Sequence, residues 1–313
     1  MHFVTELREI SDPPLQMTEF LTTRELASLL RVKERKVYDL VASGALPVRR
    51  VTGKLLFPRE EVDVWLGKRS RTVPGGFAEG APTIPSGPPL VVAGGHDPLL
   101  EWALRESRSG IAAFLDGALD GLDRAAAGEC IVAALHIPED DGWNVATVTR
   151  LFGEKPWVLI EWTTRERGLI FRPGLNKPPT KLKEARGLRF QARQPEAGSE
   201  LVLDRLLARE RLRRADLNFV EGAERSETDL AQAIAAGRAD VGLGIAAAAR
   251  QCHLEFLALI EERFDLLIWR KAYFDPPMQK FLAFCASERF RQRAQAMGGY
   301  DVKGFGAVHF NGA

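Results

Sequence analysis

An eighteen-residue segment, TVPGGFAEGAPTIPSGPP at positions 72–89, most constrains how this chain can fold. It contains five prolines and four glycines and has no apolar periodicity. Such a composition is typical of an extended linker rather than of a helix or a core strand. The 313 residues are therefore predicted to form two units, at 17–71 and 90–313, preceded by a loose N-terminal arm at 1–16.

The formal charge divides at the same linker. The whole chain carries a net charge of +1, but residues 22–71 hold twelve Lys and Arg against six acidic residues, a charge of +6. The rest of the chain then carries −5. A small basic unit indicates an anionic partner such as nucleic acid, whereas the larger acidic unit does not.

Local signals divide the small unit into five short elements. Thr22 and Glu25 form a capping box that opens a helix over about 23–30. A second apolar pattern ends at Gly44, which suits the position after a helix C-terminus. Two β-rich pieces, 48–51 and 54–57, meet at Thr52-Gly53 as in a hairpin, and a third helix is predicted from Pro58. The predicted order is helix, turn, helix, wing, helix.

The segment LTTRELASLLRVKERKVYDLVASGALPVRRVTGKLLFPREEVDVWL resembles the excisionase or MerR-type winged helix-turn-helix along its whole length. The resemblance implies that the helix at 33–43 enters the major groove of DNA. It also implies DNA contacts from two groups of residues: Lys33, Arg35, Lys36 and Tyr38 on the helix, and Arg49, Arg50 and Lys54 on the wing. The alternative is that this basic face binds a protein or is simply solvated.

The large unit shows short apolar strands alternating with helical patterns, which favours an α/β fold. In such folds, ligands bind at the carboxyl ends of the strands. Three predicted strand-to-helix junctions are rich in small residues, at 94–97, 196–199 and 242–244. Exposed amides at a helix N-terminus favour an anion. The alternative is that these glycines only make tight turns.

Several motifs of the large unit, among them GGHDPLLEWAL, RQPEAGSELVLDRLL and ERFDLLIWRKAYFDPPMQ, resemble the type 2 periplasmic-binding-protein-like domain of bacterial one-component regulators. Relatives of this domain are associated with molybdate or tungstate, and the broader fold forms the effector domain of LysR-type regulators. The resemblance implies two lobes joined by two crossing strands, near 159–164 and 265–271, with a ligand between the lobes.

The ligand residues implied by the resemblance come from both lobes. Ser199 is expected to donate its hydroxyl and backbone amide to an oxyanion, while Asp97 and Asp240 are expected to fix the loops. The two histidines are expected either to contact the ligand or to be hydrogen-bonded structural groups. The predicted ligand-binding set is Gly94, Gly95, His96, Asp97, His136, Arg193, Gln194, Gly198, Ser199 and Gly244.

Other sequence features limit the cellular compartment and the kinds of reaction or metal site that the chain could support. The N-terminus lacks the features of a secretory signal, and no apolar run reaches membrane-spanning length, which favours the cytoplasm. Cys130, Cys252 and Cys285 are too dispersed for a metal motif and are expected to be buried free thiols. No catalytic motif or cofactor motif is present.

These patterns together predict a transcriptional regulator that binds DNA and a small anion. Half-site recognition by such DNA-binding modules leads us to expect a homodimer or a higher homo-oligomer. Two alternatives remain open: an organic effector such as a small carboxylate, and an enzyme that uses His96, His136, Asp97, Asp240 or Ser199.

Overall fold

The computed structural model describes residues 20–30, 32–42, 46–51, 53–69 and 87–313. The chain divides into two compact units, Met1–Thr83 and Ile84–Ala313. The division falls within the proline- and glycine-rich segment at 72–89. The predicted arm at 1–16 and linker positions 72–86 lie outside the described residues, as do Gly44 and Thr52.

The small unit contains the predicted elements and one additional strand. Thr22 caps the first helix, and the reciprocal hydrogen bonds of the predicted capping box with Glu25 are present. Val51 pairs with Lys54, and Gly53 has a φ of +82°, which confirms the hairpin. The elements are β1 (Phe20–Thr22), α1 (Thr23–Leu29), α2 (Glu34–Ala42), β2 (Arg49–Val51), β3 (Lys54–Pro58) and α3 (Arg59–Arg69).

Strand β1 makes the wing part of a sheet with the order β1-β3-β2. Pro58 pairs with Phe20 as the last residue of β3, so α3 begins one residue later than predicted. The centre of the unit is a cluster of buried apolar side chains from the helices and from β3. Its fully buried members are Leu26, Val37, Phe57 and Val62.

The large unit is a mixed α/β domain with two lobes, and its strands form one ten-stranded sheet in the described part of the chain. The strands are β4 (Val91–Gly94), β5 (Ala112–Phe114), β6 (Val132–Leu135), β7 (Pro138–Glu139), β8 (Gly142–Trp143), β9 (Trp157–Phe171), β10 (Arg189–Arg193), β11 (Asn218–Glu224), β12 (Val241–Ile245), β13 (Glu255–Trp269), β14 (Tyr300–Asp301) and β15 (Val308–Asn311). Strands β7 and β8 form a separate hairpin.

Helices flank both faces of this sheet. They are α4 (Pro98–Ser107), α5 (Ala118–Ala127), α6 (Val145–Phe152), α7 (Gly198–Arg209), α8 (Glu227–Ala235), α9 (Ala246–Gln251), α10 (Arg270–Tyr273), α11 (Pro276–Cys285) and α12 (Glu288–Met297). In each lobe, neighbouring strand residues point into different apolar clusters. The sheet is therefore buried on both faces, as expected for a domain with helices on both sides.

The two longest strands connect the lobes. Strands β9 and β13 pair antiparallel from Trp157↔Trp269 to Phe171↔Glu255. One half of this ribbon continues into β6, β4 and β5 of the first lobe, and the other half continues into β12, β10 and β11 of the second lobe. The two crossing strands were therefore predicted correctly, but the ranges 159–164 and 265–271 covered mainly the halves in the first lobe.

The cysteines agree with their prediction only in part. All three are free, and Cys130 and Cys285 are buried, whereas Cys252 is half-buried. Within the described residues, no helix is both long enough and apolar enough to span a lipid bilayer.

Candidate functional site

A group of buried charges lies where the two crossing strands pass between the lobes. Arg165 and Arg167 are two residues apart on β9, so their side chains leave the same face of the sheet. Glu262 pairs with Arg165 in the register of β13. The Nε atoms of both arginines donate to the Glu262 carboxylate, that of Arg167 at 2.6 Å from Oε2. All three residues are at most 1% exposed.

Arg165 connects the crossing strands to the first lobe. Its Nη1 atom donates to Asp97 Oδ2 at 2.7 Å, and its guanidinium lies over the Phe264 ring at 4.3 Å. Asp97 is also the N-cap of α4, where its Oδ1 accepts from the Leu100 amide at 2.8 Å. The Tyr300 hydroxyl donates to Asp97 Oδ2 at 2.9 Å. One carboxylate therefore fixes the start of α4 relative to β9.

Glu227, the first residue of α8, connects the crossing strands to the second lobe. Its Oε1 atom accepts from Arg167 Nη2 at 2.8 Å and lies 3.0 Å from Arg193 Nη1. Its backbone amide donates to His96 Nδ1 in the first lobe at 3.2 Å. Glu227 therefore touches both lobes and the strands between them. We call the group Asp97, His136, Arg165, Arg167, Arg193, Glu227 and Glu262 the hinge network.

Charge is balanced within the hinge network. Burial acts to raise the pKa of Glu262, but Arg165 and Arg167 outweigh it and hold that pKa well below its usual range. At Glu227 burial is likewise outweighed, by Arg167 and Arg193, which lower the pKa to about 2. Burial lowers the pKa of His136 and Glu262 opposes that effect only in part, so His136 is neutral at pH 7. Three arginines therefore face three carboxylates.

The network contains polar atoms that lack a hydrogen-bond partner. These buried atoms in the described structure are Arg165 Nη2, Arg167 Nη1, Arg193 Nη1, His136 Nδ1, Glu227 Oε2 and, next to the network, Ser199 Oγ. Arg193 Nη1 and His136 Nδ1 still lie 3.0 Å and 3.4 Å from a carboxylate oxygen, without hydrogen-bond alignment. Because buried polar groups are nearly always paired, this concentration of unpaired atoms makes the group the candidate functional site.

His136 sits between the two loops that carry the predicted ligand residues. A Cβ atom on Gly95 would lie 2.9 Å from His136 Cδ2, and one on Gly198 would lie 2.8 Å from His136 Cε1. The imidazole is also stacked on Phe264, with ring centroids 5.5 Å apart and an angle of 20° between the planes. Both glycines are therefore required by the histidine ring that fills the space beside them.

A cleft of about 530 Å³ lies between the lobes and is bordered by His96. Helix α4 contributes Glu101 and Trp102, and the start of α8 contributes Ser226 and Asp229. His96 lines the cleft and also accepts the Glu227 amide, so the cleft borders the hinge network. The volume is in the range of ordinary small-molecule sites.

The lobes also contact each other directly beside the network. The Leu119 amide at the start of α5 donates to Glu196 O at 3.1 Å. Arg225 Nε donates to Asp116 Oδ1 at 2.9 Å, and Gln194 Nε2 donates to Asp116 O at 3.1 Å. The structure therefore shows the lobes closed around the hinge network.

The predicted DNA-contacting residues of the small unit are all exposed on or next to α2 and the wing. Tyr38 is 53% exposed, whereas Val37 beside it is fully buried in the core of the unit. Arg49 is exposed but forms an ion pair with Glu61 at 2.6 Å. The other exposed members of the set are Lys33, Arg35, Lys36, Arg50 and Lys54.

Comparisons with known proteins match both units. The model of the PBP superfamily domain matches residues 101–286, more than half of the chain. The chain belongs to the PBP superfamily. A second model, described as a helix-turn-helix domain, matches residues 20–70. The protein therefore joins an N-terminal helix-turn-helix domain to a PBP-superfamily domain, the architecture of a ligand-responsive regulator.

Individual relatives are distant. The uncharacterized protein YvgK of Bacillus subtilis (strain 168) is 25% identical over 303 residues, 93% of this chain and 98% of that protein. A phosphate ABC transporter substrate-binding protein with bound phosphate, from Clostridium perfringens, superposes with a TM-score of 0.51 at 10% identity, over 68% of this chain and 99% of that chain. An H2O2-bound mutant of OxyR from Corynebacterium glutamicum gives a TM-score of 0.48 at 12% identity, over 88% of this chain and 89% of that chain.

In the first lobe of the PBP domain, the predicted ligand residues of the loop at 94–97 do not share one environment. Gly94 ends β4 with a φ of +115°, and a Cβ there would lie 2.7 Å from the Ala134 amide, so it is required for packing on β6. His96 is 8% exposed and borders the cleft. Both oxygens of Asp97 accept hydrogen bonds from within the domain, so this residue fixes the loop, which is the role expected of it.

In the second lobe, Ser199 and Gly198 open α7, which begins without a side-chain cap in the described structure. Arg193 is 4% exposed and belongs to the hinge network. Gln194 instead uses its amide in the contact between the lobes, where it donates to Asp116 O and to Arg225 O. The predicted residues that the structure brings together are Gly95, His96, His136, Arg193, Gly198 and Ser199. Gln194 instead helps to hold the two lobes together.

The predicted strand-to-helix junction is present, because β12 ends at Ile245 and α9 begins at Ala246, but the glycines at 242 and 244 do not open the helix. Gly242 and Gly244 lie inside β12, where they pair with Ile170 and Gly168 of β9. A Cβ on Gly244 would lie 2.5 Å from Ile170 Cδ1, so this glycine is needed for core packing and is not at a helix start. Asp240 has the loop-fixing role expected of it, since just before β12 its carboxylate pairs with Arg172 and Arg189 and accepts from the Arg189 amide at 3.1 Å.

Four members of the hinge network were missed from the sequence: Arg165, Arg167, Glu227 and Glu262. A signal was present in TTRERG and EERFD, each of which places three consecutive charged residues within a largely apolar strand. Because successive side chains of a strand point to opposite faces, charge has to fall on both faces of the sheet, including a buried one. Glu227 could have been found as the first helical residue after the N-cap Ser226.

We expect the substitution Gly95→Ser to destabilise the PBP domain. Its Cβ would press on His136 and, at 3.3 Å, on Phe264. Such overpacking costs about 1–3 kcal/mol. The measurement is urea unfolding followed by tryptophan fluorescence, with Gly187→Ser as the control because a Cβ at Gly187 meets no atom within 4 Å. Combining Gly95→Ser with His136→Ala should recover part of the loss, and purely additive effects would argue against this contact.

Proposed function

We propose that this protein is a ligand-responsive, DNA-binding transcriptional regulator whose ligand is a small anion. One observation carries the proposal: buried, unpartnered arginine and serine donors lie between the lobes of a domain that is joined to a helix-turn-helix domain. The N-terminal ends of α4, α7 and α8 add partial positive charge around the same site.

The proposed mechanism is a shift between open and closed lobes. A ligand that reaches the hinge network needs the lobes to part, and contacts with both lobes then favour closure. Ligand can change DNA affinity only through a difference in its affinity for two conformations. Arg165, Arg167 and Glu262 lie on the strands about which such a motion has to occur.

Two ligand classes are proposed. Molybdate and tungstate come first because tetrahedral oxyanions accept hydrogen bonds on all sides, as the donors of Arg165, Arg167, Arg193 and Ser199 require. A small organic carboxylate comes second, and the observation that favours it is the unpartnered acceptor Glu227 Oε2. We propose a regulator rather than an enzyme because the polar groups of the site hold each other in ion pairs.

On the DNA side, we propose that the small unit is a winged helix-turn-helix of the excisionase or MerR type, and that the protein acts in the cytoplasm as a homodimer or higher homo-oligomer on paired half-sites. The test is selection of genomic fragments by the full chain, followed by footprinting with and without each ligand. A chain that selects no sequence, or whose footprint no ligand changes, would refute the regulator.

Arg35→Ala is expected to weaken DNA binding by roughly tenfold and to lower the slope of log K against log salt by about 0.9, the value for one lost phosphate contact. Arg35 is exposed on α2 and no ion pair within the described residues holds it. Fluorescence anisotropy at several salt concentrations gives both quantities. Lys303→Ala, at an exposed lysine of the PBP domain, is the control. An unchanged slope for Arg35→Ala would remove this residue from the interface.

A further inference from the structure

A direct contact between the lobes lies beside the hinge network and is made by residues outside it. The loop after β5 carries Asp116, and the second lobe reaches this residue from two loops that carry Gln194 and Arg225. Gln194 Nε2 donates to Asp116 O at 3.1 Å and to Arg225 O at 3.0 Å. Arg225 donates from Nε to Asp116 Oδ1 at 2.9 Å and from Nη2 to Oδ2. We call Asp116, Gln194 and Arg225 the clasp.

The backbones of the two lobes also meet at this point. The Leu119 amide donates to Glu196 O at 3.1 Å, and a Cβ on Gly117 would lie 2.6 Å from the same oxygen. Gly117 is itself fixed to the first lobe, because its amide donates to Gly94 O at 2.9 Å. The lobes can approach this closely only because position 117 has no side chain. The chain is therefore shaped for closure beside the clasp.

The polar groups of the clasp satisfy one another. Gln194 is 4% exposed, and its amide nitrogen donates to a carbonyl group of each lobe. Arg225 places two nitrogens on one carboxylate, which is the geometry in which an arginine–carboxylate pair is strongest. The hinge network differs, since several of its buried atoms lack a hydrogen-bond partner in the described structure. The clasp therefore favours closure whether or not an occupant completes the hinge network.

We infer that the clasp is a built-in lock that holds the lobes of the PBP domain shut without a ligand. This device acts on the lobe motion of the proposed function and rests on it. Leu115 and Ser226, the sequence neighbours of Asp116 and Arg225, line the cleft between the lobes, so the clasp lies at its border. A ligand enters only while the clasp is open, and its association rate is reduced in proportion to the fraction of molecules that are open. The clasp therefore sets how fast the regulator responds.

Two backbone amides report directly on closure. The Leu119 amide lies in the first turn of α5 and the Glu227 amide begins α8, and amides at these positions have no partner within their own helix. Each donates across the lobes instead, Leu119 to Glu196 O and Glu227 to His96 Nδ1. When the lobes part, both amides lose these acceptors and become free to exchange their hydrogen with water. We call Leu119 and Glu227 the reporter amides.

The experiment is hydrogen exchange of the full chain at pH 7 without added ligand or DNA, followed by mass spectrometry with fragmentation to single amides. In the wild type, the reporter amides are expected to exchange at least about tenfold more slowly than unprotected amides. The Leu100 and Asp229 amides, which donate to helix caps within their own lobe, are the reference amides. Reporter amides that exchange at the unprotected rate, with the reference amides still protected, would overturn the inference.

Two variants assign the protection to the clasp. Gln194→Met keeps the length of the side chain and removes its donors, so exchange of the reporter amides should become at least about fivefold faster. Arg225→Ala removes the more exposed ion pair and should accelerate the same amides roughly twofold to fivefold. Arg238→Ala is the matched control, because Arg238 is a similarly exposed arginine whose ion pair with Glu224 lies inside the second lobe.

The outcomes for the variants are separate from those of the proposed function. If Gln194→Met and Arg225→Ala accelerate the reporter amides no more than Arg238→Ala does, the clasp does not hold the lobes shut and the inference is overturned. If the reference amides accelerate as much as the reporter amides, the clasp stabilises each lobe rather than their closure, which overturns it as well. Neither result changes the DNA and ligand experiments, and failure of those experiments leaves the exchange measurement intact.

Discussion

Replacement of Glu262 by Ala is expected to destabilise the PBP domain by about 3–5 kcal/mol, the usual cost of removing one partner from a buried ion pair. Arg165 and Arg167 both donate to this carboxylate, and all three groups are fully enclosed. In the variant, the guanidinium groups of Arg165 and Arg167 stay buried but lose the carboxylate to which both donate. Urea unfolding of the full chain, followed through the tryptophans of the PBP domain, measures the loss.

The effect should depend on pH in a direction that the pKa of Glu262 fixes. Because the folded-state pKa is well below the unfolded value, the stabilisation is fully present above about pH 4.5 and is lost as the pH falls toward the folded pKa. The difference in the free energy of unfolding between the wild type and Glu262→Ala should therefore become smaller as the pH falls below about 4.5. Glu261→Ala, next in sequence and more exposed, is the control. A loss below about 1 kcal/mol at pH 7 would show that the network does not stabilise the hinge.

The small unit could be predicted almost completely from its sequence because its signals are local. A capping box, a two-residue hairpin loop and two apolar helical patterns each act within a few residues, and Thr22, Glu25 and Gly53 play the predicted parts. The strand Phe20–Thr22 was missed because three residues carry no periodicity. It forms only through its pairing with β3, a contact 36 residues away in sequence at Leu21↔Phe57.

The helix starts of the ligand site were predicted in part, because the signals that mark a helix start are also local in sequence. Asp97 and the Gly198-Ser199 pair precede or open strongly patterned helices, and the chain places them as expected. Gly242 and Gly244 were wrongly predicted to open a helix, because small residues are equally suitable at a helix start and in the crowded interior of a strand. Only the packing of Ile170 and Leu230 against these glycines distinguishes the two cases.

The hinge network could not be predicted from local patterns. Its contacts join residues from 34 positions apart, between Arg193 and Glu227, to 126 positions apart, between His136 and Glu262. They depend on the register of β9 against β13, which includes irregularities between Ala258 and Ile260 and between Phe264 and Asp265. Shifting the register by one residue would move every charge to the other face.

The position of the network gives it a role that a site on one lobe alone would lack. Asp97 and His96 belong to the first lobe, Glu227 and Arg193 belong to the second, and the arginines of β9 lie between them. Any ligand that satisfies the unpartnered atoms of this group contacts the connection between the lobes as well as the lobes themselves. Binding energy can therefore be converted directly into a bias on lobe closure.

Gly168→Ala is expected to destabilise the PBP domain by about 2–4 kcal/mol, because its added methyl group has no space. Gly168 lies in β9 between Gly244 of β12 and Ala258 of β13, and a Cβ there would overlap the Leu257 carbonyl group and approach Ala258 Cα to 2.9 Å. These are backbone atoms, which cannot rotate away as a side chain can. The strands have to separate next to Arg167.

Two measurements test this result. Thermal unfolding of the full chain gives the loss of stability, with Gly187→Ala as the control, because a Cβ at Gly187 meets no atom within 4 Å. Titration of the folded variant with molybdate and with acetate measures the effect on the site, where binding should weaken because Arg167 is displaced from Glu262 and Glu227. A variant as stable as the control, with unchanged binding, would mean that β9 and β13 are not held at the spacing the structure shows and that Arg167 is positioned independently of it.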